Sequence, residues 1–191
     1  MRIAILDGRG KDEANTVKLG DLLSEILRSA VVRHFNLAEM ELASCLGCFD
    51  CWVKTPGQCI IPDKGRAIAE AAINCDVLVF ISPVTFGGYA SALKTAVDRL
   101  IPNILPLFVS IKGESRHAAR YLDYPRLLGI GISKGNAKDD ELFARLIERN
   151  SLNFHSRQHS THILPASPGG DSPEELTKVI RQQMTTWGVI S

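Results

Sequence analysis

Along the chain, short and almost unbroken apolar runs alternate with longer stretches in which apolar residues return every three or four positions. RIAIL (2–6) ends in the turn signal DGRG and reads as a buried strand. From Asn15 onward, Leu19, Leu22, Leu23, Ile26 and Leu27 keep helical spacing and predict an amphipathic helix over 15–29. VVRHFNL (31–37) predicts a second strand, and an alanine-rich helix follows from near Asp63, the candidate N-cap. DVLVFISP (76–83) predicts a strand buried on both faces. ASALKTAVDRLI (90–101) predicts a helix whose Ala92, Leu93, Ala96, Val97 and Leu100 share one side. RLLGIGIS (126–133) predicts a strand, 138–152 a helix and HILP (162–165) the last strand. SPEELTKVIRQQMTTW closes the chain as a helix with Ser172 as N-cap, Pro173 at its first position and Glu175 as capping-box partner.

Five strands alternating with helices imply an α/β fold with a parallel sheet covered on both faces. One stretch breaks the rhythm. Residues 102–125 hold three prolines, the apolar ILPLFVSI and a basic, tyrosine-containing tail, and are expected to be an insertion in one domain spanning 1–191. In such sheets ligands bind beyond the carboxyl ends of the strands, so the loops after the first four strands are where chemistry is expected.

Composition narrows the classes. The formal charge of the 191 residues is only +1, which leaves no electrostatic footprint for nucleic acid or an anionic membrane surface. No apolar run reaches the length of a membrane span. MRIAILDGRG leads straight into strand and turn, so a cleavable signal is not expected and a reducing, cytoplasmic setting is. There, clustered cysteines are more often metal-binding or catalytic than structural, whereas Cys75, alone before an apolar strand, reads as core.

The first loop, DGRGKDEANT, feeds a helix start, where free N–H groups and the positive dipole end suit an anion. Arg9 and Lys11 add charge, Gly10 lets a ligand approach, and Asn15 and Thr16 add hydrogen-bonding groups. The plain alternative is that Asn15 or Thr16 only caps the helix. No Gly-Lys-Ser/Thr closes the loop as in a P-loop, and Glu13 spoils a dinucleotide fingerprint. After the third strand, Pro83 stiffens the backbone and Thr85 offers a hydroxyl. Phe86 offers a flat apolar surface, and Gly87 and Gly88 admit close approach. Such a loop suits a conjugated ring with polar edges, although a tight turn into the next helix would also use the glycines.

SPVTFGGYASALKTAVDR resembles the ring-binding segment of the flavodoxin-like NAD(P)H-dependent FMN reductases and the related iron–sulfur flavoproteins. ANTVKL in the first loop and the cysteine loop extend the likeness. The resemblance implies a three-layer α/β sandwich with a five-stranded parallel sheet in the order 2-1-3-4-5. It implies an FMN phosphate held near Asn15, Thr16 and Val17, and a flavin ring against Pro83, Val84, Thr85, Phe86, Gly87 and Gly88. It also implies NAD(P)H as co-substrate and a homodimer or homotetramer, with 102–125 as the candidate subunit contact. Two departures stand out: Gly8-Arg9-Gly10-Lys11 replaces the family's Gly-Ser-Pro-Arg, and Thr85 stands where an aromatic residue is common.

SCLGCFDCWVKTPGQC (44–59) carries the remaining chemistry, as Cys45-x2-Cys48-x2-Cys51-x7-Cys59. Its first three cysteines are spaced as in a bacterial ferredoxin run but its last gap is longer. A 4Fe–4S cluster, free or redox-active thiols, a Cys48–Cys51 disulfide and zinc are all open readings. His155, His159 and His162 lie across a loop entering a strand and read as surface or helix-end residues. The expected activity is flavin-mediated oxidation of a nicotinamide nucleotide, with no side chain marked as a general acid or base. The rivals are a flavodoxin-type electron carrier and a flavin-free thiol or zinc regulatory protein.

Overall fold

The computed structural model describes residues 1–10, 16–27, 30–166 and 171–190, with residues 16–18 described by backbone alone. In chain order the elements are β1 (Arg2–Asp7), α1 (Thr16–Ile26), β2 (Val31–Asn36), α2 (Asp50–Val53), α3 (Gly65–Asn74), β3 (Val77–Thr85), β4 (Gly88–Tyr89) and α4 (Ser91–Asp98). They continue with β5 (Ile104–Ile111), β6 (Glu114–Ala119), β7 (Arg126–Ser133), α5 (Ala137–Asn153), β8 (His159–Pro165) and α6 (Pro173–Thr186).

Five parallel strands lie in the order β2-β1-β3-β7-β8. Counting only those five, this is the 2-1-3-4-5 arrangement, with its switch in order between β1 and β3. Period-two alternation divides each central strand between two cores. Ile3, Ile5, Val77, Val79, Ile81, Leu128 and Ile130 pack with Leu19 and Leu23 of α1 and Leu176, Ile180 and Met184 of α6. Ala4, Leu6, Leu78, Phe80 and Leu127 pack with Ile68 of α3, Leu93 of α4 and Phe143 and Ile147 of α5. β7 has glycines where the second core needs room. A Cβ on Gly129 would stand 2.5 Å from Ile147 Cδ1, and one on Gly131 would stand 2.9 Å from Val84 Cγ2. The GIG pattern is therefore what lets α5 lie close on the sheet.

Several boundaries move from the sequence expectation. The β3 strand runs two residues further, to Thr85, because Thr85 and Gly88 pair and turn the strand end into a small hairpin with β4. The last strand begins at His159, three residues early, because β7 gives it a partner along its whole length. Lys64 holds the N-cap position of α3, but Asp63, one residue earlier, still meets the helix start, its Oδ1 accepting from Gly65 N at 3.0 Å. Ser172 does cap α6, its Oγ accepting from Glu175 N at 3.2 Å. Residues 102–125 form a second, two-stranded antiparallel sheet, β5 with β6, that stands off the main one. Its two-residue tip, Lys112–Gly113, has φ of 53° and 79°, the primed turn that matches strand twist.

Candidate active-site cleft

The carboxyl ends of β1, β3, β7 and β8 border a cleft of about 870 Å³. Its walls are Gly10, the run Pro83–Phe86, Ile132–Lys134 with Asn136 and Asp139, and Ala166 with Asp171. A cavity of that size accommodates a cofactor-sized ring system.

The β1 side is fixed by a buried ion pair. Arg9 and Asp7 are 1 % and 0 % exposed, and Arg9 Nη2 lies 2.8 Å from Asp7 Oδ2. Arg9 Nε and its own backbone N–H also donate to that carboxylate, while Nη1 donates to Asp171 O at 2.8 Å, joining the β1 loop to the segment before α6. His34 Nε2, from β2, lies 3.1 Å from Asp7 Oδ2. Burial alone would raise the Asp7 carboxyl, but the hydrogen bonds from His34 and Arg9 outweigh it and hold the group below its usual range. The Arg9 side chain, expected to add charge for a bound anion, is thus directed to Asp7 and buried. Gly10 borders open space, since a Cβ there would meet nothing within 4 Å among the described residues. Lys11 and Asn15 lie outside the described residues, and Thr16 and Val17 open α1.

The β3 side is the hairpin tip. Phe86 and Gly87 both have positive φ, 49° and 75°, as the central residues of the turn between Thr85 and Gly88. Asn or Gly usually fills the first of those positions, so a phenylalanine there carries left-handed strain of about 1–2 kcal/mol. Its ring is 93 % exposed at the cleft rim. The loop's far end is locked by Ser82, whose Oγ donates to Pro83 O and accepts from Ala90 N at 2.9 Å.

The β7 side was not singled out by sequence reading. Ser133 Oγ accepts from Gly135 N, and Asn136 Oδ1 accepts from Lys138 N, capping α5 at the cleft. The signal for it was present in SKGN, a glycine after a buried strand followed by a capping residue.

The cysteine loop lies between β2 and α3. Cys45 and Cys48 are exposed, Cys51 and Cys59 half-buried, and all are free thiols. Burial, then the thiols of Cys59, Cys45 and Cys48, push the Cys51 thiol above its usual value. Among the described residues, no three His, Cys, Asp or Glu side chains are drawn together as a metal cage. The donor set suits a soft metal; the spacing of the sulfurs is not that of a closed site. Cys75 is buried in the core and its thiol is pushed up to about 12. The three histidines are dispersed, with His155 Nε2 on His117 O, His162 Nε2 on Gln183 Oε1 and His159 exposed on β8.

Trp52 of α2 ties this loop to the hairpin, its Nε1 donating to Ile101 O and, at 2.9 Å, to Ile104 O. Its ring stacks on Phe49 at 5.3 Å and 8°, and packs on His117, which packs on Phe108 at 4.5 Å. Among the described residues, no helix is long and apolar enough to cross a membrane.

The sequence profile of the NADPH-dependent FMN reductases matches residues 1–126. An iron–sulfur flavoprotein of Methanocaldococcus jannaschii is 34 % identical over 104 residues, 53 % of either chain. The chain thus spans about half the length of the curated relative it matches. By shape, an NAD(P)H:quinone oxidoreductase from Methanothermobacter marburgensis is similar with a TM-score of 0.64 at 17 % identity, covering 96 % of this chain and 94 % of its own. An FMN-dependent NADH-azoreductase from Bacillus anthracis, solved with FMN, gives 0.61 at 12 % identity over 97 % and 98 %. At those identities the likeness speaks for the fold. The match over residues 1–126, which contains both loops on either side of the switch in strand order, carries the assignment: the chain belongs to the NADPH-dependent FMN reductase family.

Proposed function

We propose that the protein is an FMN-dependent NAD(P)H oxidoreductase. The observation that carries this reading is the cleft at the carboxyl edge of the sheet, walled by Gly10 on one side and the Pro83–Phe86 turn on the other. Open space at Gly10 and the backbone exposed at the glycine turn fit a phosphorylated flavin. When bound, that flavin would accept a hydride from a nicotinamide nucleotide and pass electrons on. The chain's own part is to position it. The loop after β1, with Asn15, Thr16 and Val17, holds the phosphate beside Gly10 and Lys11. Pro83, Val84, Thr85, Phe86, Gly87 and Gly88 hold the ring, and the capped start of α5 presents N–H groups to the cleft. The setting is cytoplasmic.

The test is anaerobic titration of the purified protein with FMN, followed by addition of NADH or NADPH. Quenched flavin fluorescence and bleaching of the 450 nm band by either nucleotide, with steady turnover on a quinone or azo dye, are the expected results. Flavin binding without nucleotide turnover would mark an electron carrier. A colourless protein with stoichiometric zinc would mark a thiol regulator.

A second reading concerns Cys45, Cys48, Cys51 and Cys59 as ligands of a 4Fe–4S cluster. Four free thiols in one loop, and the description of the Methanocaldococcus relative as an iron–sulfur flavoprotein, favour it. Iron and sulfide analysis of protein purified without oxygen decides it.

The same proposal makes the protein a homo-oligomer joined through the β5–β6 hairpin. A free two-stranded sheet is marginal in water, and this one exposes Leu107 at 65 % and Phe108 at 69 %. Leu107→Asp with Phe108→Ser is expected to convert the oligomer to monomer by light scattering, with the far-UV spectrum unchanged. An unchanged mass would remove the hairpin from the interface.

A further inference from the structure

The end of β7 gives the cleft a wall with hydrogen-bond donors that no protein group uses. Ser133 is 6 % exposed, and its Oγ accepts from Gly135 N at 2.9 Å. That bond leaves the hydroxyl hydrogen without an acceptor among the described residues. Lys134, the next residue, is exposed at the cleft, and its ammonium has neither a carboxylate nor any other acceptor among the described residues. The chain then turns away, Gly135 having φ of 90°, and α5 starts behind Asn136.

Charge is unevenly spread around this wall. Arg9 is committed to Asp7 inside the fold, so Lys134 carries the only positive charge among the described residues lining the cleft. Asp139 and Asp171 line it as well, and Asp139 Oδ2 accepts from Asn136 Nδ2 at 3.1 Å. Two carboxylates make a further negative charge costly there, and the lysine is the group that offsets it.

Register decides which part of a ligand the lysine meets. β3 pairs Pro83 with Ile132 of β7, so Ser133 and Lys134 follow on β7 where Val84 and Thr85 follow on β3. The loop after β1 belongs to a strand two places away, about 10 Å across the sheet. Ser133 and Lys134 therefore stand beside the turn that walls the ring and not beside the phosphate loop.

We propose that Lys134, with the Ser133 hydroxyl, holds the negative charge that the ring gains on reduction and so sets the redox poise of the site. This rests on the FMN reading. Hydride transfer from a nicotinamide nucleotide brings two electrons and one proton, which leaves one negative charge in the cleft unless a second proton follows. A cation and a hydrogen-bond donor in place before that charge arrives favour the reduced form over the oxidised one.

The experiment titrates oxidised FMN, and reduced FMN without oxygen, into wild type, Lys134→Met, Lys134→Arg and Ser133→Ala. The two dissociation constants and the midpoint potential of the bound flavin are measured, with melting of the flavin-free proteins as control. Lys134→Met is expected to weaken the reduced form at least tenfold more than the oxidised one, a fall of about 30 mV in the two-electron midpoint. Lys134→Arg is expected to recover most of that shift, and Ser133→Ala to move the potential the same way by less. The flavin-free melting temperature of Lys134→Met is expected to match wild type, because the side chain is exposed and unpaired among the described residues. Equal loss for both redox forms would assign Lys134 to the phosphate and overturn the proposal, as would an unchanged potential. If wild type takes up neither form of FMN, the flavin reading itself fails and the proposal falls with it. Wild-type binding with the same ratio of constants in Lys134→Met sinks the proposal alone.

Discussion

Replacing Arg9 with leucine is expected to lower stability by about 3–5 kcal/mol, a fall in melting temperature on the order of 10 °C. The cause is the carboxylate left behind. Asp7 is fully buried, and Arg9 supplies most of its hydrogen bonds; among the described residues His34 is its other partner. Thermal melts of the flavin-free protein measure the effect. A double variant, Arg9→Leu with Asp7→Asn, removes the unpaired charge and is expected to recover about half of the loss, as expected when both members of a buried pair are neutralised. The sign of the pH dependence follows. Asp7 has a folded pKa below its ordinary 3.8, so its contribution is complete above that value and is lost as pH falls through the lower folded one. The gap between wild type and Arg9→Leu should therefore be widest near neutrality and narrow in acid. A constant gap from pH 7 to pH 3 would show that packing, not the charge pair, sets it.

Gly87→Ala is expected to weaken FMN binding about 10–100-fold, read by fluorescence titration. Two costs act together. Gly87 has φ of 75°, where an L side chain loses about 1–2 kcal/mol, and its Cβ would stand 2.6 Å from Leu142 Cβ. A β-carbon close to its own backbone cannot swing aside, so the turn itself must move, and with it Phe86 and the Pro83–Thr85 wall of the cleft. Adding Leu142→Gly removes that β-carbon but not the backbone strain, and is expected to restore part of the affinity. Full affinity in Gly87→Ala alone would separate the turn from the flavin site.

The sheet was readable from sequence because its strands are buried on both faces and its helices on one. DVLVFISP and RLLGIGIS had no alternative home, and SPEELTKV carried its own cap. The hairpin at 104–119 was not legible as strands. Its side chains face solvent over most of β5, and its turn, Lys-Gly, is a weak signal beside Asn-Gly. The cleft was half legible. Turn chemistry marked residues 83–88, but the direction of Arg9 could not be read, because whether an arginine serves a ligand or a buried aspartate depends on what stands across from it. Asp63 was legible as a group at the start of α3 but not as an ion-pair partner, because Arg99 lies 36 residues away, beyond any local pattern.

The row of rings from Phe49 through Trp52 and His117 to Phe108 has a mechanical meaning. It is a strut whose two end rings, Phe49 and Phe108, both face solvent and which is pinned midway by the indole N–H. Through it the outlying arm is coupled to the segment in which Cys48 and Cys51 flank Phe49 and Asp50.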